Sequence, residues 1–278
     1  MKMMIQADDY GITKAVADGI IACAKAGMMT QTGLFSNMAC AQYAVERWKE
    51  EAPFVLLGQD LNLCAGYPVT DPKLIPSLVE PNGKFKTSKM HKELDKTDKH
   101  HVPYEEAYLE YDNQVKRFIE LTGKKPGYIG GHAWGSDETN RAMSDICVKY
   151  GIFDVTKEAM ISLEKDLEMI WARPIDRGNG VWEFNANTQI ENDPLKMFRE
   201  GKLDARLNEA LANEEVFMLH THAGFVDRDL TEESSYTMIR AMEAGFLCSE
   251  ELRNWVKENN IKLVTYADVY ENASYGKE

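Results

Sequence analysis

The stretch Lys2-Met3-Met4-Ile5-Gln6-Ala7-Asp8-Asp9-Tyr10-Gly11 decides the fold, because its pattern is that of a buried strand ending in two carboxylates. The apolar run is short, polar residues bound it, and a helical pattern follows Gly11. In parallel α/β proteins, ligands bind at the carboxyl ends of the strands. The pair Asp8 and Asp9 therefore predicts an active site at this strand end.

The two carboxylates can have different roles, since neighbouring residues on a strand point in opposite directions. One could bind a metal ion while the other moves a proton. The alternative is that one of them only caps the next helix, because an Asp before a helix accepts backbone N–H bonds. For the pair together, a functional site is the favoured interpretation.

Composition excludes several classes of partner. The chain has 278 residues, 44% of them hydrophobic, which is enough for one barrel or two ordinary domains. A formal net charge of -13 argues against nucleic acid or an anionic membrane as partner. No stretch approaches the roughly eighteen apolar residues of a spanning helix and no export leader is present, so we expect a cytoplasmic protein. The five cysteines form no CxxC pair and are expected to be small core residues.

Strand and helix patterns alternate along most of the chain. Strands are predicted at 30–37, 53–58, 127–132, 152–156, 181–184, 215–219 and 261–265. Helices are predicted at 13–28, 41–51, 104–121, 137–150, 195–211, 232–244 and 250–259. This alternation predicts an α/β fold with a parallel sheet, closed into a distorted TIM-like (β/α) barrel that forms a single domain over 1–278.

One long loop excursion, at about 67–103, interrupts the alternation. Prolines, several lysines and Asn82-Gly83 break any period there, so we expect at most one short hairpin. Long excursions in compact domains are often lids over a site. The pair His100-His101 in this segment is expected to be a solvated loop and not a ligand set.

Polar residues at the predicted strand ends would meet at one edge of the sheet: Asp8, Asp9, Asp60, His132, Arg173, His220 and His222. Carboxylates with imidazole and open positions suit a divalent ion that activates water, and the first candidates are Asp9, Asp60 and His132. The alternative for His132 is a core histidine bonded to a carbonyl.

The two histidines near residue 220 are expected to differ in role. His222 follows the strand on an exposed loop, where a near-neutral pKa would allow proton transfer. His220 is expected to pack or to orient its neighbour. Trp134, just beyond His132 and its preceding glycines, is expected to form a wall of the site.

Several motifs in order resemble the YdjC-like carbohydrate deacetylases over nearly the whole chain. Residues 7–11 resemble the family's Ala-Asp-Asp-Phe-Gly opening, and residues 58–63 resemble its Gly-x-His-Leu-Asn-Leu segment. The stretches 75–78 and 82–85 fit the family's next segment, and the run from Thr122 to His132 is similar to the one before the family's Asp-Ser-His. His222-Ala223-Gly224-Phe225 resembles its His-Pro-Gly-Tyr, and the tail around Asp227, Tyr236 and Arg240 is similar as well.

The resemblance implies a distorted barrel, a bound metal ion, and specific roles at the matching positions. Asp9 and His132 would be metal ligands, Asp8 the general base and His222 the general acid. Arg173 would pair with a catalytic carboxylate. Asn62, Trp134 and Phe225, which lie in or beside these motifs, would contact substrate. The partner implied is a small carbohydrate, and a homodimer is compatible with the family.

This chain departs from the family pattern in three places. Asp60 stands where the family has its first metal histidine, so two carboxylates and one imidazole would favour Mg²⁺ or Mn²⁺ over Zn²⁺. Gly130-Gly131 replace Asp-Ser, and Ala133 and Trp134 replace further histidines. A substrate pocket of different shape is expected.

The function expected from these patterns is metal-dependent hydrolysis of an N-acetyl group on an amino sugar or its phosphate. Two alternatives stay open. One is a hydrolase of another acyl or amide substrate on the same barrel. The other is a degenerate member that binds a sugar without catalysis. The survival of both the base and the acid position favours an enzyme.

Overall fold

The computed structural model describes residues 1–158, 171–176, 178, 182–212 and 216–270. Eight strands lie in these ranges: β1 Lys2–Tyr10, β2 Gln31–Leu34, β3 Leu56–Leu61, β4 Ile129–Gly131, β5 Ile175–Asp176, β6 Trp182–Glu183, β7 Val216–Thr221 and β8 Lys262–Leu263. The predicted strands are confirmed in order and approximate position, except that 152–156 makes only an isolated bridge, through Asp154. Val181 and Glu215, which begin two of them, lie outside the described residues.

Helices alternate with these strands. The α-helices are Lys14–Lys25, Ala41–Glu51, Ser88–Leu94, Tyr104–Thr122, Asp137–Tyr150, Val155–Glu158, Ala186–Glu191, Pro194–Arg199, Asp204–Ala212, Arg228–Glu233, Met238–Leu247, Glu250–Glu258 and Tyr266–Val269, with a 3-10 turn at Pro72–Leu74. None of them is long and apolar enough to cross a membrane, within the part of the chain that is described.

The main sheet is parallel and β1 lies inside it. Its hydrogen-bonded order is β4-β3-β2-β1-β7, with β8 paired to the start of β1, while β5 and β6 form a separate antiparallel pair. Among the described strands this path is open. The predicted α/β fold with a parallel sheet is confirmed, and the carboxyl ends of β1, β3, β4 and β7 lie at one edge.

The two faces of β1 explain why this strand is central. Met3, Ile5 and Ala7 belong to the large core under the helices, whereas Met4 packs with aromatic residues of a smaller core on the other face. Gln6 continues the face of Met4 and accepts a hydrogen bond from Gln31 Nε2. On this face of β1, the apolar packing of Met4 therefore gives way to the hydrogen-bonded side chains of Gln6 and Gln31 towards the carboxyl end of the strand.

The excursion at 67–103 is tied down by carboxylates. Glu110 accepts the backbone N–H groups of Val69 and Thr70, and Glu106 accepts the N–H and hydroxyl of Ser77. Residues 79 and 85 make an antiparallel bridge, which confirms the predicted hairpin around Asn82-Gly83. The helix Ser88–Leu94 was not predicted, because its short sequence carries few periodic apolar residues.

The cysteines are free thiols at all five positions. Cys23 is buried, and its sulfur lies 3.8 Å from the sulfur of half-buried Cys248. The prediction of small core residues holds for the buried Cys23, Cys64 and Cys147, whereas Cys40 is half-buried like Cys248.

Candidate active site

The end of β1 breaks the regular strand geometry at the two carboxylates. The pairing of β1 with β2 shifts register between Ala7 and Tyr10, and Asp9 has a φ of 65°, in the left-handed region that non-glycine residues seldom adopt. Such backbone costs about 1–3 kcal/mol and is most often found at functional sites. The sequence predicted the site here, and the strained backbone is an independent sign of it.

Asp8 forms an ion pair with His220 from the neighbouring strand β7. Its Oδ2 lies 2.7 Å from His220 Nε2, and its Oδ1 accepts a hydrogen bond of 2.6 Å from Gln6 Nε2. Burial acts to raise the pKa of Asp8, but the charge and hydrogen bond of His220 outweigh it and hold the pKa below its ordinary value. His220 therefore holds the Asp8 carboxylate, a contact that the sequence did not predict.

Asp9 is fully buried between an imidazole and a guanidinium. His132 Nδ1 lies 3.0 Å from Asp9 Oδ1, and Arg240 Nη2 donates to Asp9 Oδ2 at 2.5 Å. Burial acts to raise the pKa of Asp9, but His132 and Arg240 hold it well below its ordinary value. Asp9 Oδ1 nevertheless has no hydrogen bond of good geometry within the described residues. One buried carboxylate oxygen thus remains available as a ligand atom.

Asp60 lies under Asp9 and interacts with its backbone. Asp60 Oδ2 accepts a hydrogen bond of 3.0 Å from the Asp9 N–H. A Cβ on Gly33 of β2 would lie 1.9 Å from Asp60 Oδ1, so only glycine leaves room for this carboxyl group. Burial and the nearby charges of Asp8 and Asp9 raise the pKa of Asp60 well above its ordinary value.

The predicted metal ligands fit a cation in part. Asp9 Oδ1 and His132 Nδ1 are adjacent and without a shared hydrogen bond of good geometry, as expected of two ligands of one ion. Asp60 instead accepts a hydrogen bond from the Asp9 N–H. Among the described residues, no group of three or more His, Cys, Asp or Glu could hold a metal ion. Ions such as Mg²⁺ often keep several waters and few protein ligands. Asp9 and His132 fit an open, weakly held site of this kind.

His222, the predicted general acid, lies just beyond β7 and is half-buried. Its N–H donates to Glu243 Oε2 at 2.8 Å, and its carbonyl accepts a bond of 3.2 Å from Arg240 Nη1. The His222 ring lies 5.6 Å from that of His220 and 4.9 Å from that of Tyr236, between ring centroids. The structure therefore brings the predicted base and acid to neighbouring positions on β1 and β7.

The arginine beside the carboxylates is Arg240, whereas the sequence led to Arg173. Arg173 is exposed, and its carbonyl accepts a hydrogen bond from Asn192 Nδ2. Arg240 and Glu243 are fully buried although charged, and both were missed as site residues. A usable signal existed: they are the charged residues of the otherwise apolar helix Met238–Leu247, three positions apart on one face.

The three predicted substrate contacts have different environments. Asn62 is buried, and its side chain stabilises the loop after β3 by accepting the N–H groups of Cys64 and Ala65 and donating to Asn37. The Asn62 side chain is thus engaged in the loop, and its contact with substrate stays a prediction. Phe225 is 46% exposed and follows His222, so it remains a candidate for substrate contact.

Trp134 connects β4 to the excursion. Its ring stacks on buried His91 at 4.1 Å, and its Nε1 donates to Asp95 Oδ2. His101 Nε2 lies 2.9 Å from His91 Nδ1, so the expectation of a solvated loop is wrong for His101 and holds only for exposed His100. Trp134 is 9% exposed and mainly supports the excursion.

Comparison with known proteins shows which family the chain is similar to. The family model described as YdjC-like protein matches residues 2–258. A carbohydrate deacetylase of Oceanobacillus iheyensis is 32% identical over 264 residues, covering 92% of this chain and 100% of that protein. Carbohydrate deacetylase 2 of Listeria innocua is 28% identical over 272 residues, covering 97% of this chain and 99% of the relative.

A solved structure extends the similarity to the fold. The crystal structure of a putative cellobiose-phosphate cleavage protein from Enterococcus faecalis V583 superposes with a TM-score of 0.73 at 25% sequence identity. The match covers 96% of this chain and 98% of that chain. The range matched by the family model contains β1 and the loop after β7. This chain belongs to the YdjC-like protein family.

Proposed function

We propose that this protein is a hydrolase that removes the N-acetyl group from an acetylated amino sugar, in the cytoplasm. The observation that carries the proposal is the placement of Asp8 and His222 at adjacent strand ends, each held by a charged partner. Its relatives named carbohydrate deacetylases support the substrate class. Five free thiols agree with a reducing compartment.

In this proposal Asp8 is the general base. Its lowered pKa keeps the carboxylate ionised at neutral pH, and His220 holds it in one orientation. Asp8 accepts a proton as water attacks the acetamide carbon, and His222 gives a proton to the leaving amine. Moving both protons in this way avoids expelling an unprotonated amide anion.

A divalent ion, Mg²⁺ or Mn²⁺ in preference to Zn²⁺, is a further part of the proposal. Asp9 and His132 would hold it, and when bound it would supply Lewis-acid polarisation of the acetamide oxygen. Arg240 leaves one Asp9 oxygen free for this role, since it binds the other. We expect an ion held by so few protein ligands to bind weakly.

Acetate release from a panel of N-acetylated sugars tests the proposed reaction. The panel contains monosaccharides, disaccharides and their phosphates, each assayed with Mg²⁺, with Mn²⁺ and with chelator. We expect release from at least one sugar, and a loss of about 10²-fold or more in Asp8→Asn. The matched control is Glu258→Gln, which removes an exposed carboxylate and should leave turnover unchanged.

A second candidate function has one observation in its favour, namely the Asp60 carboxyl group where the family pattern has a histidine. In that case the protein binds a sugar and does not catalyse. The same panel separates the two functions: sugars that raise the melting temperature without any acetate release would favour the binder. A second panel, of substrates that carry other acyl or amide groups, tests the other hydrolase: release from that panel only would favour it.

A further inference from the structure

Residue 222 is held from one helix by two side chains of opposite charge. In the helix Met238–Leu247, Glu243 accepts the His222 N–H and Arg240 donates to the His222 carbonyl. Both side chains are fully buried and lie three positions apart, hence on the same helix face. The helix therefore contacts the two backbone polar groups of the candidate general acid.

The backbone of His222 depends on these contacts because β7 ends one residue earlier. β7 spans Val216–Thr221, and residues 222–227 have no regular secondary structure, so His222 lies just beyond the end of the strand. Hydrogen bonds to ionised groups are shorter and stronger than neutral ones. A charged side chain therefore bonds to each backbone group of His222 at the point where the strand ends.

We infer that Glu243 is a positioning residue for His222 in the reaction, an inference that rests on the proposed deacetylation. Glu243 fixes the N–H end of the residue, and Arg240 fixes the carbonyl end while also binding Asp9. These contacts hold the His222 backbone, and with it the imidazole, in a fixed position relative to the carboxylates of β1. Glu243 touches no reacting atom in this scheme and acts only through His222.

The burial of Glu243 supports this role. A buried carboxylate carries a desolvation penalty that a well-packed apolar side chain of similar volume avoids. Its second oxygen accepts the indole N–H of Trp171, also fully buried, at 2.8 Å. Packing alone would not require a charge at this position, whereas fixing a main-chain N–H outside the sheet requires an acceptor.

The test compares Glu243→Gln with Glu110→Gln. Glu110 is also a buried carboxylate that accepts backbone N–H groups, but its partners Val69 and Thr70 lie in the excursion. A misplaced catalytic group costs up to about 10²-fold in rate. We expect Glu243→Gln to lower kcat by about 10- to 100-fold with KM within about twofold. Both variants should lose stability, and Glu110→Gln should keep kcat within about threefold.

Amide hydrogen exchange of His222 provides a measurement that needs no substrate. We expect exchange at this amide to be about tenfold faster or more in Glu243→Leu, which removes both acceptor oxygens, and unchanged in Glu110→Leu. Unchanged exchange overturns the inference even if no sugar is a substrate. If the wild type does release acetate, an equal fall of kcat in both Gln variants also overturns it. Glu243→Asp, which keeps the charge, covers the case in which the Gln variant fails to fold.

Discussion

The two halves of the site treat buried charge differently. On the side of β1 and β7, every candidate carboxylate has a charged or N–H donor partner: Asp8 with His220, Asp9 with Arg240, and Glu243 with His222. On the side of β3 and β4, Asp60 accepts one backbone N–H and lies near two other carboxylates, and its pKa is raised. The difference lies in the partners: Asp8 and Asp9 each have a cationic or imidazole partner, whereas Asp60 has one backbone N–H donor and no ion-pair partner among the described residues.

This difference indicates which half can change at low cost. Removing one partner of a buried ion pair leaves an uncompensated charge and is strongly destabilising. Asp60 has no ion-pair partner among the described residues, and Gly33 and Gly130 beside it leave space. A change of ligand type at position 60 would thus disturb the ion and spare the proton-transfer residues.

The largest effect is expected from the general acid. His222→Gln should lower kcat by about 10²- to 10⁴-fold, since it removes the proton donor to the leaving amine. Stabilisation by Mn²⁺ should persist, because the proposed ligands are Asp9 and His132 and the substitution changes neither. Acetate release and ion-dependent melting temperature check the two statements, with exposed His100→Gln as control. Loss of both properties together would show that the two halves are not separable.

The next effect concerns stability on the acid–base side. Arg240→Met should lower the free energy of unfolding by about 3–5 kcal/mol, because Asp9 would stay buried with one cationic partner fewer. Urea unfolding measures it, and Arg228→Met, which removes an exposed guanidinium, should change it by less than about 0.5 kcal/mol. Adding Asp9→Asn to Arg240→Met should recover part of the loss. No recovery would mean that Arg240 acts through its other contacts.

The third prediction addresses the weaker half. Asp60→His should convert a weakly held ion into a tightly held one, because a neutral imidazole would join Asp9 and His132. An ion at about a hundred times its dissociation constant adds roughly 2.7 kcal/mol to the folded state. Melting temperatures of chelator-stripped protein with Zn²⁺, Mn²⁺ and Mg²⁺ measure this in the variant and the wild type. If neither responds, or Asp9→Asn does not cancel the response, the ligand assignment fails.

The fourth effect is a fall in the free energy of unfolding at acid pH, caused by the buried His91 that stacks on Trp134 beyond β4. Burial lowers the pKa of His91 to about 4 from an ordinary 6.5, so the folded state disfavours the charged imidazole. The unfolded chain then binds the extra proton, and stability falls as pH drops from 6.5 towards 4, by up to about 1.4 kcal/mol per pH unit. His91→Phe should flatten the pH dependence of urea unfolding in this window. An unchanged slope would show that the acid sensitivity comes from other groups.

The smallest effect is expected at the rim. Phe225→Ala should raise KM by up to about tenfold, which corresponds to about 1.4 kcal/mol of lost binding, while unfolding stays within about 0.5 kcal/mol because the ring is half exposed. Steady-state kinetics and urea unfolding measure both. Asn62→Ala should instead lower the free energy of unfolding and leave KM nearly unchanged, since its side chain stabilises a loop. A purely structural effect of Phe225→Ala would remove it from the substrate contacts.

Local sequence signals explain which elements could be predicted. The helix at 137–150 has the predicted bounds because Ser136 begins it with a capping box and Gly151 ends it at a φ of 63°. The single helix predicted at 195–211 is instead two helices, separated where Gly201 takes a φ of 70°. A glycine inside an apolar period gives no local sign of whether the helix continues.

The site divides in the same way. The order of the strands predicts which polar residues meet, because parallel strands have their carboxyl ends at one edge of the sheet. These residues are Asp8, Asp9, Asp60, His132, His220 and His222. Arg240 and Glu243 lie on a helix packed beside that edge. Their contacts depend on how the helix packs against the sheet, which the spacing of apolar residues in the sequence does not specify. Asn62 and Trp134 were assigned from motif position, whereas the structure shows that their side chains are engaged in the loop and the excursion.

The anchored excursion has a consequence for how far this segment can move. If the segment moved away as a unit, Glu110 and Glu106 would lose their hydrogen-bond donors. Glu233 would lose the Gly66 N–H and Lys84, and the Trp134–His91 stack would break. Each buried hydrogen-bonding group left unmatched costs about 1–3 kcal/mol, so the open form would be populated at well below about one part in a thousand. The excursion therefore behaves as a fixed part of the fold and not as a lid that opens freely.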